Sequence, residues 1–240
     1  MHEKVRRGSL VALLLMLIPM EIAAQNRALE RGMHGGEFSI GMIDHAYVGS
    51  EITGGNYDYQ GVGVGLSYIG NQVRASLLFG RSGEPRTFLD ISAVGWLAPS
   101  FARVRRENTT LSMPMGFLTA WRRTTAEKNV EPLGATAILF GAGGELVHSF
   151  NERARARLRA IPLVGITGSQ IVDAVGLSWA VDAEARFFVA EVFSHIGLSI
   201  GYTFRYQLWN INGSRSFSDS VDEVYDYASQ VHILSAGIWF

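Results

Sequence analysis

The chain has 240 residues, 48% of them hydrophobic and 18% charged, with a formal net charge of −1 and no cysteine. So even a charge balance argues against a nucleic-acid partner, which would call for a basic excess. The absence of cysteine excludes a lipid-modified N-terminal cysteine and suits an oxidising compartment.

The N-terminus reads as a targeting segment. Lys4, Arg6 and Arg7 form a basic region, Leu10 to Met20 an apolar core, and Ile22-Ala23-Ala24 a small-residue cleavage site. This is the layout of a secretory signal peptide, residues 1–24, cut after Ala24. The apolar run of about 11 residues is too short for a membrane helix, which needs about 20. The remaining chain carries 18 basic and 20 acidic residues once Glu3, Lys4, Arg6, Arg7 and Glu21 are removed. No later segment is apolar for long enough to span a membrane as a helix, so a membrane-spanning form must be a closed barrel.

Residues 25–36 are polar and read as a periplasmic lead-in, and residues 37–240 read as one barrel domain. Strand one, about Glu37–Val48, sets Phe38, Ile40 and Met42 on one face. Strand two, about Tyr57–Ile69, sets Val62, Val64, Leu66 and Tyr68 against Gly61, Gly63, Gly65 and Ser67. Gly70-Asn71 has the chemistry of a two-residue hairpin turn. Strand three, about Gln72–Gly80, alternates Val73, Ala75, Leu77 and Phe79 with Gln72, Arg74 and Ser76. Strand four, about Thr87–Leu97, alternates Leu89, Ile91 and Ala93 with Asp90 and Ser92.

Pro99–Asn108 is a long basic connection. Strand five, about Thr109–Arg122, carries Leu111, Met113, Met115, Phe117 and Trp121 on one face and Pro114 on the other, where a ladder donor is missing. Strand six, about Pro132–Phe150, turns Ile138, Phe140, Leu146 and Phe150 outward. A turn at Asn151-Glu152 leads to strand seven, which runs to about Ile166. Strand eight, about Ala174–Phe188, alternates Leu177, Trp179, Val181, Ala183, Ala185 and Phe187 with Ser178, Asp182, Glu184 and Arg186. A turn near Ala190–Phe193 follows.

The ninth strand has the cleanest pattern. From His195 to Leu208 every even position is apolar or aromatic and no odd position is a large apolar residue. Period-two alternation over this length makes a two-faced strand, far longer than the usual soluble strand of about 5–6 residues. Asn210–Val224 is the longest loop, and strand ten, about Tyr225–Phe240, closes the barrel. Short connections alternate with long ones, Pro99–Asn108 excepted, as in barrels with short periplasmic turns and long extracellular loops. The fold class is therefore all-β: an antiparallel up-and-down transmembrane barrel of ten strands, with eight or twelve as alternatives.

Leu234, Ala236, Ile238 and Phe240 alternate to the end of the chain. This resembles the C-terminal assembly signal of outer-membrane β-barrels. With the signal peptide, the pattern resembles the small OmpA/OmpX-like barrel families. The resemblance implies a bacterial outer-membrane location, lipid and lipopolysaccharide as surroundings, and the barrel-insertion machinery as an assembly partner. It brings no functional residues with it.

The densest chemistry is luminal. Arg153, Arg155, Arg157 and Arg159 share one face of strand seven and must point inward, because arginine facing lipid is costly. Keeping Phe150 and Ala154 outward requires a three-residue turn, Asn151–Arg153, which sets Glu145 opposite Arg159. Register through Thr167–Asp173 predicts Asp182 near Arg157 and Glu184 near Arg155; Arg74 is expected to approach Asp90 diagonally. Such a network is either a plug, since buried charges must pair and small barrels are filled by side chains, or the filter of a pore.

Catalytic pairings are harder to build. Outer-membrane proteases and lipid-modifying acylases use acid–histidine or histidine–serine groups on a common face. Asp44-His45 and His148-Ser149 are sequence neighbours, so a strand sends them to opposite faces. His232 falls on the lipid-facing parity. No metal-ligand spacing appears, and Gly141, Gly143 and Gly144 lie within a strand with no helix after them, so they are no phosphate loop. No cofactor is expected. The loop Asn210–Val224, with Phe217, Asp219, Asp222 and Glu223, is a candidate for an extracellular ligand or for cations bridging lipopolysaccharide. Tyr68, Trp121 and Trp179 are candidates for interfacial girdles, and Trp209 and Trp239 have inward parity. The expected function is a non-catalytic integral barrel with a plugged lumen, serving envelope integrity or surface binding; a narrow pore and a membrane enzyme are the alternatives.

Overall fold

The computed structural model describes residues 34–49, 57–82, 86–125, 132–169, 175–212 and 224–240. The expected signal peptide, most of the lead-in and the acidic centre of the Asn210–Val224 loop lie outside these residues. The first seven strands are β1 Gly35–Gly49, β2 Tyr59–Ile69, β3 Val73–Ser82, β4 Arg86–Leu97, β5 Arg103–Arg106, β6 Thr109–Ser112 and β7 Met115–Thr125. The other six are β8 Leu133–Ala142, β9 Gly144–Ser149, β10 Ala154–Ser169, β11 Val175–Phe193, β12 Ile196–Asn212 and β13 Val224–Trp239.

All pairings are antiparallel, and the sheet closes on itself through ten strands. The ring runs β1-β2-β3-β4-β7-β8-β10-β11-β12-β13, and β13 pairs back to β1 from Gly35↔Trp239 to Gly49↔Tyr225. Closure gives each ring strand a partner on both sides. The barrel begins at Gly35, two residues before the expected Glu37, because Gly35 and Gly36 pair with both β13 and β2.

Three segments lie beside the ring. Strand six is interrupted at Gly143, strand five at Met113-Pro114, and the Pro99–Asn108 connection contains a 3-10 turn, Ser100–Ala102, followed by β5. β9 pairs with the lower half of β10, β6 with β9, and β5 with β6. The two interruptions share one physical cause. Pro114 has no N–H to give the ladder, and its carbonyl instead accepts from Gly143 N at 3.0 Å. The connection expected as a loop is thus the end of a long kinked hairpin that turns at Glu107-Asn108, with Glu107 at φ 44°.

Asn151 Oδ1 accepts from Arg153 N at 2.8 Å and Ala154 N at 2.7 Å, and Phe150 N donates to Ala154 O at 2.9 Å. An asparagine side chain closing on its own backbone therefore fixes the three-residue turn. Gly70-Asn71 belongs to a three-residue connection, not a two-residue one: Gly70 N donates to Val73 O at 2.8 Å. The expected turn at Ala190–Phe193 is instead the end of β11. A bulge there shifts the register between Val189 and Phe193, and the chain reverses at Ser194-His195.

Burial is inverted relative to a water-soluble barrel. Met42, Leu66, Phe140, Val164, Ile200 and Leu234, from six ring strands, are each about 60% exposed or more, while Asp182, Glu184 and Arg159 are at most 3% exposed. Leu234, Ala236, Ile238 and Phe240 all face outward, and Trp239 between them is buried against Phe188. Exposed apolar surface on this scale marks a face meant for a partner or for lipid.

Candidate functional site

Along β11, starting from the end with the short turns, Phe188, Arg186, Glu184 and Asp182 face the lumen at every second position. Ladder neighbours bring Arg159 opposite Glu184 and Arg157 opposite Arg186. The interior holds six buried arginines (Arg74, Arg122, Arg157, Arg159, Arg186, Arg205) and four buried acids (Glu37, Asp90, Asp182, Glu184) among the described residues.

Arg74 is the crossing member. It stands on β3, five strands from β11 around the ring in either direction, yet its guanidinium reaches both acids of β11. Nη2 donates to Asp182 at 2.6 Å, and Nη1 donates to Glu184 at 2.6 Å and to Thr203 at 3.1 Å. Arg157 grips Glu184 Oε1 through Nε and Nη2, at 3.0 and 2.7 Å. Arg159 contacts Asp182 at 3.3 Å and Glu184 at 3.5 Å. A second crossing comes from β12, where Arg205 donates to Ser92 at 2.9 Å and lies 3.5 Å from Asp90 and 3.3 Å from Asp182. Asp90 also accepts two bonds from Arg122, at 2.8 and 3.1 Å. Nearer the short turns Arg186 pairs with Glu37, which accepts from Ser199 at 2.8 Å.

Arginines outnumber acids by two, and three of the six arginines also meet aromatic faces. Arg159 stacks 3.5 Å over Trp96, and Arg157 lies 5.1 Å from the same ring and 5.4 Å from Phe188. Arg122 sits between Phe88 and Trp209, 5.0 and 4.9 Å away. The negative face of an aromatic ring attracts a desolvated cation. This accounts for Arg159, whose Nε and Nη1 have no hydrogen-bond acceptor. Apolar layers lie at both ends of the network: Ile69, Phe188 and Trp239 toward the short turns, and Ile43, Tyr59, Leu78, Phe88 and Val231 toward the longer loops. A cavity beside His45, Arg122 and Trp209 has only about 10 Å³, room for about one water.

Several expected positions move. Glu145 does stand opposite Arg159, but its carboxylate accepts from Ser112 at 3.2 Å and contributes nothing to the luminal network. Asp182 and Glu184 lie four residues from the expected register, opposite Ile161 and Arg159. The cause is that β10 continues through Thr167 to Ser169 before the chain turns. Arg74 does not approach Asp90: it opposes Val94, while Asp90 opposes Leu78, about 13 Å along the strand. Arg153 is exposed, 3.5 Å from Glu191, and Arg155 is only partly buried; both belong to the rim. Glu37, Arg122, Arg205 and Trp96 were missed, although each has the inward parity of its strand.

Among the described residues the expected Asp44-His45 pair does not come together, and the one serine–histidine contact, Ser194 Oγ to His195 Nδ1 at 3.3 Å, lies at an exposed turn. Asp44 is exposed and His45 buried, on opposite faces. His148 Nδ1 bonds Thr109 Oγ1 at 2.8 Å and its ring packs on Phe150. Among the described residues no group of three or more metal-ligating side chains comes together.

No protein-family model matches the chain, and no curated protein does. Among solved structures it is similar to the outer membrane protease OmpT from Escherichia coli, with 8% identity, TM-score 0.36, and 87% of this chain and 96% of that one covered. It is also similar to the Pseudomonas putida toluene transporter TodX, with 10% identity, TM-score 0.25, and coverage of 89% and 93%. A third is OmpT of Vibrio cholerae, an outer membrane protein, with 8% identity, TM-score 0.28, and coverage of 90% and 100%.

Proposed function

We propose that this chain is a bacterial outer-membrane barrel, of the small OmpA/OmpX-like kind, whose lumen is closed to solutes and whose work is done on its outer surfaces. The observation that carries this reading is Arg74, which bridges the full width of the ring to Asp182 and Glu184. A pore needs a continuous water path. Here the cross-section is occupied by paired side chains, with apolar layers at either end of the network.

The inside-out burial supports a lipid setting, since an apolar band around a closed barrel is the pattern of outer-membrane proteins. A non-catalytic role is supported by the luminal acids, which arginines hold among the described residues; the threonine–histidine and serine–histidine contacts there, Thr109–His148 and Ser194–His195, include no acid. Envelope integrity, or binding of a surface ligand through the longer loops, is the function left to such a barrel. Lipopolysaccharide is its surrounding and the barrel-insertion machinery its assembly partner.

The test is conductance. The chain without residues 1–24, refolded in detergent and checked by heat-modifiable gel mobility, is added to a planar bilayer. Well-folded protein should leave the bilayer silent. Steady open channels would overturn the closed-lumen reading and make the arginines a filter.

A further inference from the structure

At the end of the short turns, the outer wall changes character over a single step of the β5–β6–β9 ladder. Directly opposed partners point to the same side of a sheet, so Val104, Leu111 and Leu146 form one outer row and Arg106, Thr109 and His148 the next. The first row is apolar and continues to Leu158 of β10. The second lies two residues, about 7 Å, closer to the end of the hairpin, and every member is polar. β5 and β6 stop there, at the Glu107-Asn108 turn. On this hairpin the apolar band of the outer wall therefore ends between Val104 and Arg106.

At that boundary lies an open cleft of about 600 Å³, lined by Arg106, Glu107, Asn108, Thr109 and His148. Thr109 Oγ1 and His148 Nδ1 are hydrogen-bonded at 2.8 Å, and the His148 ring packs on Phe150. Arg106 and Glu107 bring opposite charges to the same cleft, and no ion pair joins them among the described residues. Arg106 ends the strand on its outer face, whereas Glu107 has left the strand in the left-handed backbone of the turn, at φ 44°. A cleft at the edge of an apolar wall, with one cation and one anion side by side, is complementary to a zwitterion.

We propose that this cleft holds the headgroup of an aminophospholipid, a phosphatidylethanolamine, with its phosphate on Arg106, its ammonium on Glu107 and its acyl chains along Val104, Leu111 and Leu146. This rests on the membrane reading above. A phosphatidylglycerol head would bring a phosphate to Arg106 but leave Glu107 beside a like charge. A choline head has no N–H to give the carboxylate. Arg103 and Arg105 alternate to the other face of β5 and do not line the cleft, so the selectivity belongs to Arg106 and Glu107.

The experiment is native mass spectrometry of the refolded barrel without residues 1–24, freed of lipid and offered phosphatidylethanolamine, phosphatidylglycerol or phosphatidylcholine of equal chain length. The ethanolamine lipid should be retained about fivefold better than either of the others, the worth of one ion pair at a surface. Glu107→Gln should keep heat-modifiable folding and abolish that preference. Arg106→Gln should lower retention of all three lipids, and Arg105→Gln should change neither retention nor preference. Equal retention of the three lipids, a preference for phosphatidylglycerol, or a preference for the ethanolamine lipid that survives in Glu107→Gln would overturn the proposal while leaving the barrel intact. A chain that shows no heat-modifiable folding and no insertion into vesicles would overturn the membrane reading and this site with it.

Discussion

Arg74→Ala is the most informative perturbation of the lumen. It removes two 2.6 Å ion-pair contacts and the 3.1 Å bond to Thr203, and leaves Asp182 and Glu184 in place. Taking one partner from a buried pair costs about 3–5 kcal/mol, because the remaining charge stays desolvated. Here Asp182 keeps Arg159 and Arg205, each at 3.3 Å, and Glu184 keeps Arg157 at 2.7 Å. The loss should therefore fall at the lower end, about 3 kcal/mol. With a urea slope of about 1–3 kcal/mol/M, the unfolding midpoint should drop by about 1–3 M. Tryptophan fluorescence and heat-modifiable mobility, read in the same detergent, should give coincident midpoints. Arg74→Met separates charge from packing: it restores most of the volume and should lose nearly as much. An unchanged midpoint in Arg74→Ala would refute the network as a source of stability.

Arg157→Ala strips Glu184 of a two-point contact and should also lower the midpoint, by about 3 kcal/mol, with Arg74 remaining as partner. Arg153→Ala should shift stability by less than about 0.5 kcal/mol, because its pair with Glu191 is solvent-exposed; a larger urea shift would mean the rim is more ordered than its exposure implies. Asn151→Ala deletes the acceptor for two backbone N–H groups and should cost about 1–2 kcal/mol, with slower refolding as the accompanying readout. Gly201→Leu should cost about 1–3 kcal/mol by overpacking, since an added Cβ there meets the Arg186 guanidinium at 2.9 Å; an equal midpoint would show that Arg186 can move aside.

Much of the ring was legible because each strand keeps its period of two. Bounds read from alternation fall within about four residues of the observed ones for β1–β4 and β10–β13, the bulged end of β11 excepted. The reason is physical: one face meets an apolar exterior and the other a polar lumen, so the sequence must alternate. The same reasoning explains the failure at Pro99–Asn108. All four residues of β5, Arg103 to Arg106, are exposed. With no difference between its faces there is no selection for alternation, and a real strand reads as a basic loop. Strands five and six read as continuous because their outward parity resumes after Pro114 and Gly143.

The network was legible in membership more than in pairing. Arg74, Asp90, Arg157, Arg159, Asp182, Glu184 and Arg186 all follow from inward parity on their strands, and Glu37, Arg122 and Arg205 would have followed from the same rule. Pairing is a different kind of information. A neighbour in the ladder depends on one turn, and Asn151 fixes that turn well enough to set Glu145 opposite Arg159. A partner across the lumen depends on how many strands close the ring and how far they stagger, which no local pattern encodes. Arg74 meets Asp182 only because five strand steps separate β3 from β11 in either direction. Two strands more or fewer would remove that diametric relation and present the same guanidinium with other residues. The ten-strand ring and the luminal pairing are therefore one hypothesis, and the loss caused by Arg74→Ala tests both.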